Sequence, residues 1–454
     1  MKVIRLTYRD AEIEPSIYLL LFFRFAGVYV YERFWGTRTV QIELLGENTA
    51  LFPEKERQYA AFAAYDCDVC IVRDASDLQE YDMLADKRPE SMVLLTRGEL
   101  AEDAIDYAAN KELALLQLIN NKLLLRRIIT PDEKEDLDIL ADIYATGGLM
   151  SLMLKAKYFF SVGDEPQLTV FRQRFENIVT SLLNQMNKIG CTWGDRRFFH
   201  VQYAALNAIY ELNCFCVRYK KGMVYRKESL LRLCDTLETG LDGLLGDSVK
   251  MLKGQIYDDL FFNPNAAYER YVNCCNDITY NAYVYFRKGG YWQDFGNDWE
   301  QALKYYVQAA YIYPEYYRAW YKIGLCNLKL GRNREAVAAY ENVRKCLSGR
   351  IAGKCVRAME IEHIFKAQTQ MAEIWEKNGS RENAIESLKW AVRAWNLIDE
   401  TSFFELICDE DEKSFYQERT KDNLDIEDVY EKLIVLNTIV GNKEAALHYQ
   451  EKLG

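Results

Sequence analysis

Apolar and polar residues recur with different periods along this chain, and the change of period divides it. Near the start the apolar residues come in short runs. Val3, Ile4 and Leu6 make a strand-like opening that ends at Tyr8-Arg9-Asp10, and a helix-like apolar stretch follows Pro15. Gly27 separates that stretch from Val28-Tyr29-Val30-Tyr31, which is β-rich in composition. Val69-Cys70-Ile71-Val72 and Met92-Val93-Leu94-Leu95 are further compact strands, with a short helix expected from Ser76 to Lys87 between them. Leu113 to Leu125 is expected to be helical. Short apolar strands alternating with helices predict an α/β domain over 1–129, built on a small parallel sheet covered on both faces.

From Thr130-Pro131-Asp132-Glu133 the pattern turns helical: a capping threonine, a first-turn proline and acids at the positive helix end. Phe171, Phe175, Ile178, Val179, Leu182, Leu183 and Met186 stand three and four apart, which places one apolar stripe on one helix face. Phe198 to Val217 and Ser229 to Leu245 behave likewise. Short connections such as Gly163-Asp164 and Lys220-Lys221-Gly222 predict antiparallel pairs. Residues 130–246 are read as the divergent front of a helical solenoid.

The region 247–454 repeats itself. Gly290 and Gly324, Ala302 and Ala336, and Tyr306 and Tyr340 are each 34 residues apart. The repeat near Tyr317 has Trp320, Ile323, Gly324, Ala336 and Tyr340; the one before it has Phe286, Gly290, Ala302, Tyr306, Ala309 and a closing Pro314. This period and these residues resemble the tetratricopeptide (TPR) repeat, a helix pair that buries its apolar face only by stacking on its neighbours. The first-helix aromatic usual in that family is replaced by Asn327. Weaker copies are read at Gly254 with Ala266, at Gly379 with Ala384 and Ala391 after about 14 extra residues, and at Gly441 with Tyr449. Each glycine of Gly331, Gly379 and Gly441 suits the left-handed end of a helix. Asp409 to Asp428 is charged and is read as a solvated insertion.

The resemblance implies that the first helix of each pair lines a concave groove. Mapped by position, the groove receives Arg287 and Tyr291, then Arg318, Tyr321 and Lys329, then Lys366. Cations that meet carboxylates and tyrosines that offer flat apolar contact would suit an extended peptide. The Lys/Asn pattern with which some members hold chaperone tails is not present.

The first 120 residues or so resemble two α/β families. IRLTYRD, a helix and VYVYER are similar to the opening of a Toll/interleukin-receptor (TIR) domain, with DVCIVRDAS as its central strand. That resemblance implies NAD cleavage with Glu80 as the catalytic acid, although Asp77-Leu78-Gln79-Glu80 lacks the residues that usually precede it. The second likeness is to a response-regulator receiver, with Asp10 in the acidic cluster, Asp74 as phosphoacceptor, Thr96 as switch hydroxyl and Mg²⁺ as the ion held. The structural reading of Asp74 is a helix N-cap or a loop residue at a strand's end.

Charge and composition narrow these readings. The net charge of −11 argues against a general nucleic-acid binder. The last proline is Pro314, so nothing breaks helices in the final 140 residues. Twelve scattered cysteines form no disulfide framework and fit free thiols in a reducing cytoplasm. Cys67 and Cys70 lie in an expected strand, where residues three apart face opposite ways, so no metal site is expected. The apolar run Ile17 to Tyr31 is 15 residues long and carries Arg24, short of the roughly 20 apolar residues a membrane span needs. No phosphate loop, GxSxG, HExxH or dinucleotide signature occurs. The leading expectation is a protein-binding scaffold or adaptor that needs no cofactor. The alternative is a sensor-effector whose TIR-like domain cleaves NAD or signals when the array binds its partner. Either domain could carry an oligomer contact.

Overall fold

The computed structural model describes residues 4–8, 19–20, 22–27, 30–34, 67–71, 92–97, 114–119, 122–125, 148–156, 165–241, 243–274, 282–408 and 410–453. Two units emerge: Met1–Arg38 with Phe62–Val284, and Thr39–Ala61 with Tyr285–Gly454.

Six strands fall in the first unit: β1 (Ile4–Tyr8), β2 (Val30–Phe34), β3 (Cys67–Ile71), β4 (Met92–Arg97), β5 (Ala114–Ile119) and β6 (Lys122–Leu125). They pair in the order β2-β1-β3-β4-β5-β6. Every neighbouring pair is parallel except β5 with β6, which is antiparallel. The helix expected over Leu113 to Leu125 is therefore a pair of strands. Ile119 pairs with Lys122, which leaves Asn120 and Asn121 for the connection. A short apolar run cannot be assigned to helix or strand by composition alone, and here the ladder decides. The expected helix from Ser76 to Lys87 and the boundary at Thr130 lie outside the described residues.

Residues 19–20 and 22–25 are helical, as expected after Pro15. The first unit's helices follow: α1 (Leu149–Lys155), α2 (Glu165–Lys188), α3 (Phe199–Arg218), α4 (Lys227–Glu238), α5 (Gly243–Asp259) and α6 (Pro264–Val272). On α2 the stripe is as read, with Phe171, Phe175, Val179, Leu182 and Met186 buried. Ser229 to Leu245 is not one helix; α4 ends at Glu238, and Gly240 takes a positive φ of 72° before α5 begins. The central α3 is buried along most of its length. It receives the C-terminal end of the 19–27 segment: His200 Nδ1 meets the Ala26 carbonyl at 2.8 Å, and Asn207 donates to the Phe25 carbonyl at 3.3 Å. From α5, Ser248 donates to the Gly27 carbonyl at 3.3 Å. A Cβ on Gly27 would stand 2.8 Å from the Tyr203 ring, so only glycine admits this approach.

The described residues of the second unit form helices and the turns between them, beginning with α7 (Ala282–Asp294). Then come α8 (Trp299–Ile312), α9 (Tyr317–Lys329), α10 (Asn333–Cys346), α11 (Ser348–Ala352), α12 (Ala358–Lys377), α13 (Arg381–Glu400), α14 (Phe403–Ile407), α15 (Glu410–Lys421), α16 (Ile426–Ile439) and α17 (Lys443–Leu453). Helices 13–20 residues long joined by short turns, with small residues at the crossings, make an all-α, TPR-like repeat.

The crossings sharpen the repeat. A Cβ on Gly324 would lie 2.4 Å from the ring of Tyr340; one on Gly289 would lie 2.6 Å from Tyr306, and one on Gly254 would lie 2.4 Å from Tyr271. The glycine at each close approach is thus Gly254, Gly289 or Gly324, and the buried alanine one turn before each tyrosine is Ala267, Ala302 or Ala336. The positions read from an even spacing, Gly290 and Ala266, are each off by one. Turn length is the reason. Only three residues join α9 to α10, but four join α5 to α6 and α7 to α8. The three-residue turns close on Gly331, Gly379 and Gly441 with φ of 74°, 76° and 83°. In each, the amide after the glycine reaches back to the helix: Arg332 to Asn327, Ser380 to Trp375 and Asn442 to Asn437. The four-residue turns close instead on side-chain caps, where Asn263 accepts from the Ala266 amide and Asp298 from the Gln301 amide.

The 14 extra residues before Gly379 hold α11, its loop and the lengthened start of α12. They carry a buried ion cluster: the Glu360 carboxylate accepts from Arg350 and Arg357, including Arg357 Nε at 2.7 Å and the Arg357 backbone amide at 2.9 Å. The charged stretch from Asp409 is more than a solvated insertion. It contains α15, whose Tyr416 and Thr420 are buried and whose Gln417 donates to the Ile398 carbonyl at 2.9 Å.

Candidate functional site

The expected groove residues fall on α7, α9 and α12. The α9 sequence, YRAWYKIGLCNLK, packs its Trp320, Ile323 and Gly324 inward and leaves the opposite face to Arg318, Tyr321 and Lys322. The Arg318 guanidinium lies 4.8 Å over the Phe286 ring of α7. Tyr321 meets His363 of α12 edge-on at 5.1 Å, and Tyr317 meets the same imidazole at 5.2 Å. Lys366 sits one turn beyond His363 and pairs with Glu362 at 2.5 Å. Lys329, at the far end of α9, is exposed. Arg287 is half-buried on α7, and Tyr291 packs edge-on against Trp292 at 5.7 Å. Matching α7 to α9 through Gly289 and Gly324 sets Phe286, not Arg287, opposite Tyr321.

Three participants escaped the sequence reading. His363 joins the two tyrosines. Lys322 donates to Gln293 Oε1 at 3.1 Å, and the same oxygen accepts from Tyr306 at 3.0 Å. The Glu360 cluster flanks Tyr317. A signal for two of them was in the sequence: Lys322 follows Arg318 by four residues and His363 precedes Lys366 by three, so each shares a helix face with a residue already chosen.

The electrostatics follow from burial among cations. Burial, then the Arg318 charge, hold the His363 imidazole down to about 3, so it is neutral at pH 7. Burial also lowers the Lys322 ammonium, against the attraction of Asp294. Burial raises the phenols of Tyr317 and Tyr321, which remain hydroxyls able to donate. Burial pushes the thiols of Cys234 and Cys326 up to about 12, which leaves neither as a nucleophile at neutral pH. Among the described residues no group of three His, Cys, Asp or Glu side chains is placed to hold a metal ion. None of their helices is long and apolar enough to cross a membrane. Asp10, Asp74 and Glu80 lie outside the described residues.

These features define a TPR-like helical-repeat protein with a cation- and aromatic-lined face on its first helices. No protein-family model matches the chain, and no curated protein matches it. Among solved structures it is similar to pilF of Pseudomonas aeruginosa, with 14% identity, a TM-score of 0.34, and coverage of 56% of this chain and 91% of that one. It is also similar to a monomeric mutant of IFIT1 with Gppp-AAAA, with 13% identity, a TM-score of 0.31, and coverage of 83% of this chain and 77% of that one. The repeat assignment rests on this chain's own Gly–Tyr crossings.

Proposed function

We propose that the protein is an interaction scaffold or adaptor whose array holds an extended segment of a protein partner. One observation carries this reading. Successive first helices set an aromatic ring against a cation of the next: Phe286 beneath Arg318, then Tyr321 in the field of Lys366. Rings and cations alternating along a stack of helices suit side chains alternating along an extended peptide. Arg287, Tyr291, Arg318, Tyr321, Lys329 and Lys366 remain the proposed contact residues, to which Phe286, Lys322 and His363 are added. A photo-crosslinking residue at Tyr321 should yield discrete protein adducts in cells, and one at Lys389 on α13 should not. Adducts to nucleic acid instead, or identical adducts from both positions, would refute the reading. The proposed setting is the cytoplasm.

A second reading keeps the division 1–129, 130–246 and 247–454, with an α/β domain at the front that is TIR-like or receiver-like and acts in signalling. The order β2-β1-β3-β4-β5 supports it, because doubly wound sheets of that order bind ligands outside the carboxyl ends of the strands where the order reverses, here β1 and β3. Asp10 follows β1 by two residues and Asp74 follows β3 by three. The TIR form requires NAD turnover that disappears in Glu80→Ala; the receiver form requires acetyl phosphate and Mg²⁺ to label Asp74. A full chain inert in both assays removes this second reading and leaves the scaffold.

A further inference from the structure

Two neighbouring turns of the first unit carry charge and apolar surface that packing does not use. Between Glu211 and Glu228 stand Arg218, Lys220, Lys221, Arg226 and Lys227 and no acid, in a chain whose net charge is −11. Lys220 and Arg226 are exposed, and among the described residues no carboxylate pairs with either. The α5–α6 turn lies beside this α3–α4 turn: the Lys227 ammonium donates to the Leu260 carbonyl at 3.3 Å and sits 4.4 Å over the Phe261 ring. Glu228, Asp258 and Asp259 are the acids next to these turns in sequence, and the Tyr210 hydroxyl donates to Asp259. Each turn also exposes a large apolar side chain, Met223 at 39% and Phe262 at 71%. Both turns are tied down. Buried Asn213 donates to the Tyr225 carbonyl at 2.9 Å and accepts from the Tyr225 amide at 3.3 Å. The Phe261 and Asn263 amides reach back to the Ile256 and Tyr257 carbonyls at 3.2 and 2.9 Å. Lys220 and Phe262 take φ of 54° and 52°, a left-handed backbone that a bulky residue seldom adopts. The matching third position of the α7–α8 turn holds Asn297, which suits that backbone, at φ 48°. Packing gives no reason for a ring at 262, so its strained placement points to use.

We infer that this edge docks the protein on an anionic lipid bilayer. Phe262 and Met223 enter the interface, and Lys220, Lys221, Arg226 and Lys227 stand at the level of the headgroup phosphates. Apolar side chains ringed by cations are what an anionic interface recognises, because neither signal alone holds a protein there. Lysine stems lie along apolar surface with their ammonium at its rim, as Lys227 already does over Phe261. The acidic remainder of the chain does not prevent this contact, since charges beyond about 8 Å are screened at physiological salt. Nucleic acid suits the edge less well. Single strands bind basic grooves with flat aromatic platforms, whereas Met223 and Phe262 offer apolar volume on two turns. The inference is independent of the scaffold reading and of the groove residues.

The test sediments the full-length chain with phosphatidylcholine vesicles, with and without phosphatidylserine. The chain should bind the anionic vesicles only, and less as salt rises. Each Lys or Arg near such a surface contributes about fivefold in partitioning, so Lys220→Gln with Arg226→Gln should weaken binding about 25-fold. Phe262→Asn should weaken it about tenfold, since the ring no longer enters the interface. Asparagine suits the left-handed backbone, so this variant should keep its melting temperature. Lys304→Gln with Arg381→Gln removes the same charge from exposed positions elsewhere and should leave binding intact. No binding to the anionic vesicles, equal binding to both kinds, an equal loss in that control, or binding unchanged by Phe262→Asn would overturn the inference. So would an oligoribonucleotide bound more tightly per phosphate than the vesicles and lost in the same variants, which would make nucleic acid the occupant. Each of these outcomes leaves the scaffold reading standing.

Discussion

Gly289 and Gly290 are neighbours in one helix, yet alanine should act on them with opposite signs. A methyl group at Gly289 would stand 2.6, 2.7 and 2.9 Å from Cε1, Cδ1 and Cζ of Tyr306. Tyr306 is fully buried, and its hydroxyl donates to Gln293 at 3.0 Å, so the ring cannot swing away without losing that bond. Overpacking of this kind costs about 1–3 kcal/mol, and replacing glycine by alanine inside a helix returns about 1 kcal/mol. Gly289→Ala should therefore destabilise by up to about 2 kcal/mol. At Gly290 the added methyl meets only the Tyr306 hydroxyl, at 3.9 Å, an ordinary contact. Helix propensity then decides, and Gly290→Ala should stabilise by about 0.5–1 kcal/mol. A gap of about 2 kcal/mol between the two variants corresponds to roughly 4–8 °C in melting temperature for a unit of this size. Far-UV circular dichroism on heating reads it directly. Pairing Gly289→Ala with Tyr306→Leu should recover part of the loss as a coupling of about 1 kcal/mol. If Gly289→Ala melts at or above Gly290→Ala, the crossing at Gly289 is wrong and the even period of 34 is right after all.

Three further outcomes are expected. Glu360→Gln leaves the nearly buried Arg350 and its neighbour Arg357 facing a neutral amide; breaking such a cluster costs about 3–5 kcal/mol, and an unchanged urea midpoint would refute the cluster's role. His363 is held at about 3 in the folded state against its ordinary 6.5, so the unfolded chain takes up the proton first. Its contribution to stability is complete above about 6.5 and falls away as the pH drops toward 3, by about 1–2 kcal/mol between pH 7 and 5; His363→Phe should flatten that part of the stability–pH curve. His200→Phe removes the partner of the Ala26 carbonyl, at a cost of about 1–3 kcal/mol; hydrogen exchange over residues 22–27 should accelerate, and unchanged protection there would count against the bond.

What the sequence conveyed of the fold depended on how local the determining contact was. The glycines at 331, 379 and 441 were legible because a left-handed residue at a helix end is specified within a few positions. The stripe on α2 was legible because its period is intrinsic to the helix. The Gly–Tyr crossings were legible in kind but displaced by one residue at Gly289 and Ala267, since the length of the intervening turn decides the offset and side-chain caps such as Asp298 make a longer turn as good as a shorter one. β5 and β6 were taken for a helix because leucine-rich composition carries no period of its own, and Asn120-Asn121 was the only local sign of a hairpin. The docked face of α15 was hidden by its charge: Tyr416 and Thr420 are buried at a spacing of four in a helix that is polar apart from Phe415 and Tyr416.

The candidate site was harder to read, and the reason is physical. A binding face on a helical array is assembled from residues 40 or so positions apart, and spacing finds them only if the repeat is uniform. Between α10 and α12 it is not: the eleven residues from Leu347 to Arg357 intervene. That insertion places two arginines beside Tyr317 and gives them a single buried carboxylate, Glu360. Lys322 turns to an amide, and His363 stays neutral because it is buried and because a further positive charge there would be repelled by Arg318, Lys366 and Lys322. Removing Glu360, which leaves Arg350 and Arg357 without their carboxylate, should therefore cost far more stability than removing the Lys322 ammonium, which frees only an amide; a Lys322→Met chain that melts as low as a Glu360→Gln chain would invert that assignment.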